Sequence, residues 1–405
     1  MVPTQLILGL CVFVLSACAS SPRNTVPEYG TAPVRAPQQG LDASAYAALP
    51  NWSELDLSAG VEALRRSCSV FAARPSNQPI SLSARWAGTP RDWQSVCLAV
   101  QSDLRGDRAR STLEALMTPL EVVDPAGESR FTGYFEPTYE ARRRPSGPFT
   151  EPVPAVPDDL IEQGGRVQQK LSDGRFRPYP TRAEITSSGV TPIAYARAAD
   201  VFFLQIQGSG RLLFPDGSTI RAAYGANNGH QFASTANWLM NRGWISRSEA
   251  SMTGIAAWME RAPPHQMREA MNANPRFVFF IEKPEGDPSL GPDGALGVPL
   301  TPFGSIAIDP SLHPLGVPMF VQTTAPGLGG DWSGLLIAQD TGNAIRGVVR
   351  GDVYFGTGRA AGAAAETLNA PGRMWILLPR PLARRIMLGN TQVQFRSDVF
   401  GLAAN

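Results

Sequence analysis

The chain has 405 residues and a formal net charge of +1, from 36 basic and 35 acidic side chains. That length holds a large core and predicts two domains, while the balanced charge gives no overall field for nucleic acid or an acidic surface. Three histidines and four cysteines with no Cys-x-x-Cys argue against a zinc site, and with only Lys170 and Lys283 as lysines, the arginines reflect general usage rather than a basic patch.

Residues 1–18 read as an address. Leu6 to Leu15 is mostly apolar and too short to span a bilayer, and Leu15-Ser16-Ala17-Cys18 follows. The stretch resembles a bacterial lipoprotein signal, in which Cys18 becomes the lipid-bearing first residue; the alternative is an ordinary secretory signal cleaved nearby. Ala19 stands where an inner-membrane retention signal places Asp, which favours the outer membrane, with the protein facing the periplasm. Residues 19–50, rich in Pro, Ala, Ser and Gly, read as a flexible tether.

Folding proper starts near Trp52, with helical patterns through about Met117. Val61, Leu64, Cys68 and Phe71 share one apolar face, and Trp93, Cys97, Val100 and Leu104 share another. An oxidising compartment permits a Cys68–Cys97 disulfide; two buried thiols are the equal alternative. From Phe131 the pattern is extended and turn-rich, with strands expected at Ile193–Ala196 and Val201–Gln207 and a hairpin from Arg211 to Tyr224 about Pro215-Asp216-Gly217-Ser218. This middle part reads as an inserted all-β unit. Helices return at Phe232–Met240, ended by Gly243, and at Met252–Met259, ended by Pro263-Pro264. A strand is expected at Arg276–Glu282. Five short strands then follow, Gly304–Ile308, Val317–Gln322, Leu335–Ala338, Val348–Phe355 and Met374–Leu378, and they argue for a small β-barrel.

Leu335 to Arg359 is the centre of the functional argument. It reads as strand, tight turn, strand, with Gly342 free to supply a positive φ. The apolar run delivers Gln339 and Asp340 to a strand end. Asp352 sits among Val349, Val353, Tyr354 and Phe355, company that disfavours its charged form and raises its pKa. A carboxyl protonated near neutral pH is what a general acid requires. The alternative is that Asp340 caps a turn and Asp352 ends an exposed strand.

Several separate segments resemble the membrane-bound lytic murein transglycosylase A family. They are Phe131-Thr132-Gly133-Tyr134-Phe135-Glu136-Pro137, Gln205-Ile206-Gln207-Gly208-Ser209-Gly210, Tyr224-Gly225-Ala226-Asn227-Asn228-Gly229-His230 and Asn274-Pro275-Arg276-Phe277-Val278-Phe279-Phe280. The C-terminal strands resemble that family's three-aspartate domain, with its aspartates on Asp309, Asp340 and Asp352. The resemblance implies a mainly β fold with α (α+β): a double-psi β-barrel with helices over residues 51–135 and 226–395, its three-aspartate region at 300–380, and a smaller β-barrel inserted at 136–225. It implies a lytic exotransglycosylase, a carbon–oxygen lyase that needs no cofactor and no metal. Asp352 would be the catalytic acid, with Asp340 beside it to orient it or raise its pKa. Gln207, Ser209 and Asn228 are candidates to bind sugar hydroxyls and acetamido groups, Tyr134, Tyr224 and Trp332 to offer ring faces, and Asp309 to stand in the substrate site or cap a turn behind it. The implied partners are peptidoglycan glycan strands, the outer membrane through the lipid on Cys18, and cell-wall synthesis or division complexes.

Other readings make distinct demands. Asp340-Thr341-Gly342 is the tripeptide of aspartic proteases, whose dyad needs two carboxylates sharing a proton, and the chain has one such tripeptide. Gly356-Thr357-Gly358-Arg359 with Gly362 has the wrong spacing for a dinucleotide loop. Three aligned aspartates are also a set that binds a divalent cation. A glycan-binding lipoprotein without activity, or a hydrolase using water, would share the groove and differ in its products.

Overall fold

The structure is a computed structural model, and it describes residues 34–35, 43–124, 126–185, 189–342 and 344–388. The signal, Cys18 and most of the tether lie outside the described residues. In chain order the elements are β1 (Val34–Arg35), α1 (Ser58–Ala72), α2 (Pro90–Val100), α3 (Gly106–Leu116), β2 (Met117–Val122), β3 (Arg130–Glu136), β4 (Thr138–Glu140), β5 (Glu151–Pro154), β6 (Leu160–Gln163), β7 (Arg166–Lys170), β8 (Phe176–Pro178) and β9 (Pro192–Ala196). They continue with α4 (Ala198–Gln207), β10 (Gly210–Leu213), β11 (Thr219–Asn227), α5 (Thr235–Asn241), α6 (Met252–Arg261), α7 (Pro264–Asn272), β12 (Val278–Pro284), β13 (Ser305–Ile308), β14 (Pro318–Ala325), β15 (Gly330–Thr341), β16 (Arg350–Thr357), α8 (Arg359–Ala365), β17 (Asn369–Ala370), β18 (Gly372–Pro379) and α9 (Arg380–Met387).

The N-terminal helices form where the apolar spacing places them. α1 buries Val61, Leu64, Cys68 and Phe71 along one stripe. It lies so close to β15 that a Cβ on Gly60 would sit 2.4 Å from the Leu335 carbonyl. α2 starts at a capping box, Thr89 with Asp92, and has Pro90 in its first turn, where the missing N–H is not needed. Cys68 and Cys97 are joined in a disulfide across α1 and α2, which decides between the two readings of these residues.

Among the described residues nine strands pair in the order β1-β2-β18-β14-β15-β13-β16-β3-β17. The overall architecture is mixed α and β. Segment 369–379 meets this sheet twice: Asn369–Ala370 pairs with β3, and after Pro371 the chain pairs with β14 and β2. The sheet therefore curls back towards its own middle. The stretch Leu335–Arg359 is not a hairpin, contrary to the sequence expectation. β13 lies between β15 and β16, parallel to the first and antiparallel to the second. Residue periodicity fixes which side chains share a face and says nothing about which strand is the neighbour. The left-handed backbone of the connection falls on Gly347 (φ 132), not on Gly342.

A second sheet, β12-β11-β10-β4, carries the expected hairpin, with β10 and β11 antiparallel about Pro215–Ser218. Its edge strand β12 comes from beyond residue 225, so the sheet is not contained in 136–225. Val201–Gln207 belongs to α4, a helix, and corrects the expected strand. A short unbroken apolar run fits a buried helix as well as a buried strand. Here Leu204 packs into the core of the second sheet, while Phe202 and Phe203 pack on α5–α7 with Leu239, Trp258 and Met259. Two faces of the segment are thus buried. Gly208, at φ 84, ends it. The expected helix from Phe232 begins at Thr235, where the Ser234 hydroxyl accepts from Asn237 N at 3.2 Å. Glu136 at the end of β3 ties the two sheets together. It is fully buried and accepts from Arg221 Nε at 2.6 Å and Arg211 Nε at 3.0 Å, both from the second sheet. A buried carboxylate persists only with such partners.

Candidate active site

Strand register places the carboxyls. Ala307 on β13 is the partner of Asp340 on β15 and of Asp352 on β16, and Asp352 is in turn the partner of Thr132 on β3. Directly opposed residues point to one face, so Asp340, Ala307, Asp352 and Thr132 form a row across the sheet. A bulge makes that row possible: the β13–β15 register jumps from Ile306↔Ala338 to Ala307↔Asp340 and skips Gln339. Gln339 points into the core, where its amide donates to Ala63 O (2.7 Å) and Ser67 Oγ (2.9 Å) and its oxygen accepts from Ser305 Oγ (2.6 Å). Asp340 is thereby turned to the opposite face. The small side chain of Ala307 leaves space between the two acids, and all three line a groove of about 520 Å³.

Each carboxyl has its own surroundings. Thr132 Oγ1 donates to Asp352 Oδ1 at 2.6 Å, and Arg350 Nη2 donates to that hydroxyl at 2.9 Å. Burial pushes Asp352 up to about 6; the Thr132 bond and the Arg350 charge oppose this, and Asp340 adds to it. Tyr134 OH donates to Asp340 Oδ2 at 2.9 Å and Ala295 N donates to Oδ1 at 3.1 Å. Burial also raises Asp340, against the Thr341 N–H, the Tyr134 hydroxyl and the Ala295 N–H. The Tyr134 hydroxyl is itself pushed well up by burial and by Asp340, so it stays a donor. These two acids stand two strands apart, roughly 10 Å between backbones, and do not share a proton as a protease dyad must.

The facing wall differs. Ile206 and Gln207 at the end of α4, Tyr224 on β11 and Phe232 in the loop after it all line the groove. Ile206, Tyr224 and Phe232 are 40, 49 and 52% exposed, which makes an apolar strip open to solvent. Behind it Arg182 is buried and donates to Gln205 Oε1, to Asn274 O (3.0 Å) and to Arg276 O (2.7 Å). All three of those residues line the groove. Phe202 and Phe277 flank the guanidinium, each 5.1 Å from it, and burial pulls its pKa down to about 9.

Among the residues singled out from sequence, Asp340, Asp352, Tyr134, Gln207 and Tyr224 come together on the groove. Tyr134 turns its hydroxyl to Asp340 and its ring to Tyr354, 5.2 Å away. Asn228 is buried behind the wall, its amide spent on Pro180 O and Pro275 O and its oxygen on Phe277 N. Ser209 lies next to the groove residue Gly208 and is not itself in the lining. Asp309 is buried away from the groove: it accepts from Ser311 N and Oγ and from Gly347 N (3.2 Å), and so anchors the connection between β15 and β16. Trp332 packs on the main core. Among the described residues no group of three or more His, Cys, Asp or Glu is placed to hold a metal ion. Sequence reasoning missed Thr132, Ile206, Phe232 and Arg182. Thr132 and Ile206 lay inside the quoted segments and Phe232 was assigned to a helix face, whereas nothing local distinguishes Arg182 from the other arginines.

An open trough with two buried carboxyls, both raised by burial, faced by exposed rings, is the kind of site found in enzymes that cleave polysaccharides. The comparisons name the family. Residues 130–281 match the MltA specific insert domain and residues 304–378 match the 3D domain. Membrane-bound lytic murein transglycosylase A of Escherichia coli K12 is 33% identical over 281 residues, which is 67% of this chain and 71% of that protein. The chain belongs to the membrane-bound lytic murein transglycosylase A family. MltA from Neisseria gonorrhoeae in its monoclinic form superposes with a TM-score of 0.72 at 28% identity, over 87% of this chain and 97% of that one. Escherichia coli MltA with bound chitohexaose gives 0.64 at 25% identity, over 88% and 97%.

Proposed function

We propose that the chain cleaves the β-1,4 bond between N-acetylmuramic acid and N-acetylglucosamine in peptidoglycan and leaves 1,6-anhydro-N-acetylmuramic ends, with Asp352 as both acid and base. One observation carries this: a carboxyl raised to about 6 by burial lines a groove of about 520 Å³. Asp352 gives its proton to the bridging oxygen as the C1–O bond breaks and C1 becomes oxocarbenium-like. The C6 hydroxyl of the same sugar then attacks C1, and the Asp352 carboxylate takes the hydroxyl's proton. Hydrolases pair such an acid with a second carboxylate that acts as nucleophile or activates water; a ring closed by the sugar's own hydroxyl needs none. Asp340, held by Tyr134 and Ala295, raises the pKa of Asp352 through its charge. The chitohexaose bound by the Escherichia coli relative supports a β-1,4-linked strand as the groove's occupant.

Two structural readings accompany this. Strands β14, β15, β13, β16 and β3 with segment 369–379 form one barrel of the double-psi type, supported by the pairing of that segment with both β3 and β14. A second domain runs from about residue 137 to 284, supported by the shared sheet of β4, β10, β11 and β12. Lipid on Cys18 holds the protein to the outer membrane, supported by the signal pattern and by relatives named membrane-bound; among the described residues no helix is long and apolar enough to cross a membrane. The test is mass spectrometry of material released from sacculi. Wild type should release anhydro-muropeptides and Asp352→Asn should lose about 10³-fold in rate. Reducing-end products would mean a hydrolase, and no release would mean a binding protein.

A further inference from the structure

On the other side of the β15–β16 connection lies a second hollow of about 530 Å³, lined by Arg130, Arg346 and Arg350 together with Glu128, Ser129 and Pro371. Ala344 belongs to its rim and to the rim of the groove. The three guanidiniums are held mainly by neutral oxygens. Arg130 Nε donates to Asn369 Oδ1 at 3.0 Å, Arg346 Nη1 to Ile345 O at 2.8 Å, and Arg350 Nη2 to Thr132 Oγ1 at 2.9 Å. Among the described residues neither Arg130 nor Arg350 forms an ion pair, and Arg346 is 3.9 Å from Asp309. Asp124 and Glu128 also line the hollow and set two carboxylates against the three guanidiniums; Asp124 Oδ1 accepts from Ala126 N at 2.8 Å. Burial lowers the pKa of Arg350; the Asp352 carboxylate opposes this, and the like charge of Arg130 adds to it. Guanidiniums outnumber carboxylates in this lining, and the planar fork of donors on each matches a carboxylate in both shape and sign.

We infer that this hollow binds carboxylates of the peptide stem carried by the sugar being cleaved, an inference that rests on the proposed function. Muramic acid bears that stem on its lactyl arm, and the stem is acidic. Ala344 is common to both rims, so an arm that leaves a sugar at Asp352 towards Ala344 would reach the arginines. Groove and hollow then read different parts of one substrate, the glycan by Asp352 and the apolar strip, the peptide by the arginines.

The experiment compares un-cross-linked strands that carry stems with the same strands stripped of peptide by an amidase. Arg130 is the position to change, because it is exposed and touches neither acid. Arg130→Gln should raise KM on stem-bearing strands about fivefold with kcat held, Arg130→Glu should raise it further, and Arg130→Lys, which keeps the charge and loses the fork, should fall between Gln and wild type. All three should match wild type on stripped strands. The wild-type preference for stem-bearing strands should narrow as salt is raised. Equal changes on both strands, or no change on either, would overturn the inference alone. A wild-type enzyme inert on both would overturn the proposed function and this inference with it.

Discussion

The two walls of the groove are built by opposite means. The acid wall is a row across paired strands, where backbone register and one bulge set every position and Gln339 locks the bulge from behind. The facing wall is a helix end, a strand end and a loop, gathered on a single buried guanidinium. Register holds chemistry to a fraction of an ångström, whereas a wall of exposed side chains on loops adapts to what it binds. Proton transfer asks for the first and a long flexible polymer for the second.

Breaking the second wall should have the largest effect on stability. Arg182→Met leaves Gln205 Oε1 and two carbonyls without a donor, so we expect a loss of about 3 kcal/mol in unfolding free energy and a raised KM, read by denaturant titration and kinetics. Asp352→Asn should do the reverse to stability while cutting the rate about 10³-fold. The native carboxyl titrates near 6, above its ordinary 3.8, so the folded protein binds more protons than the unfolded chain between those values. Wild-type stability therefore falls as pH rises from about 4 to 6, and the asparagine variant should be more stable by about 1–3 kcal/mol at pH 7.5 with no gain below pH 4, seen as a Tm difference that closes on acidification. Thr132→Val sharpens the acid wall. It removes a donor that favours the charged form, so the descending limb of the rate profile, expected near pH 6 in wild type, should move up by about one unit. The smallest effect belongs to the apolar strip. Phe232→Ala should leave Tm unchanged and raise KM for glycan about fivefold, checked by kinetics on long strands.

What the sequence disclosed follows the same division. The apolar company of Asp352 was visible in its neighbours: Val353 faces the core, and Asp352, the next residue, points to the opposite side. The β13–β15 bulge was not visible, since one skipped residue leaves no trace in composition, and the crossing of β13 between β15 and β16 is a long-range fact with no local signature. α4 looked like a strand because both its faces are buried. α5 starts at Thr235, three residues after the start that the apolar spacing predicts, and this leaves Phe232 outside the helix, its apolar side chain on the groove rather than in a core. Asn228 stood in a motif for a reason other than contact with substrate: it holds 180, 275 and 277 together behind the wall.

The passage of β13 between the two acid-bearing strands has one more consequence. Ala307 pairs with Asp340 on one side and Asp352 on the other, so their spacing across the sheet follows from register, with no direct pairing of β15 to β16. The connection that joins those strands is held separately, Gly347 N by Asp309 and Val348 O by the His313 ring. A substitution at the exposed Ala344 should therefore reshape the rim shared by the two hollows while the register of the carboxyls stays as it is.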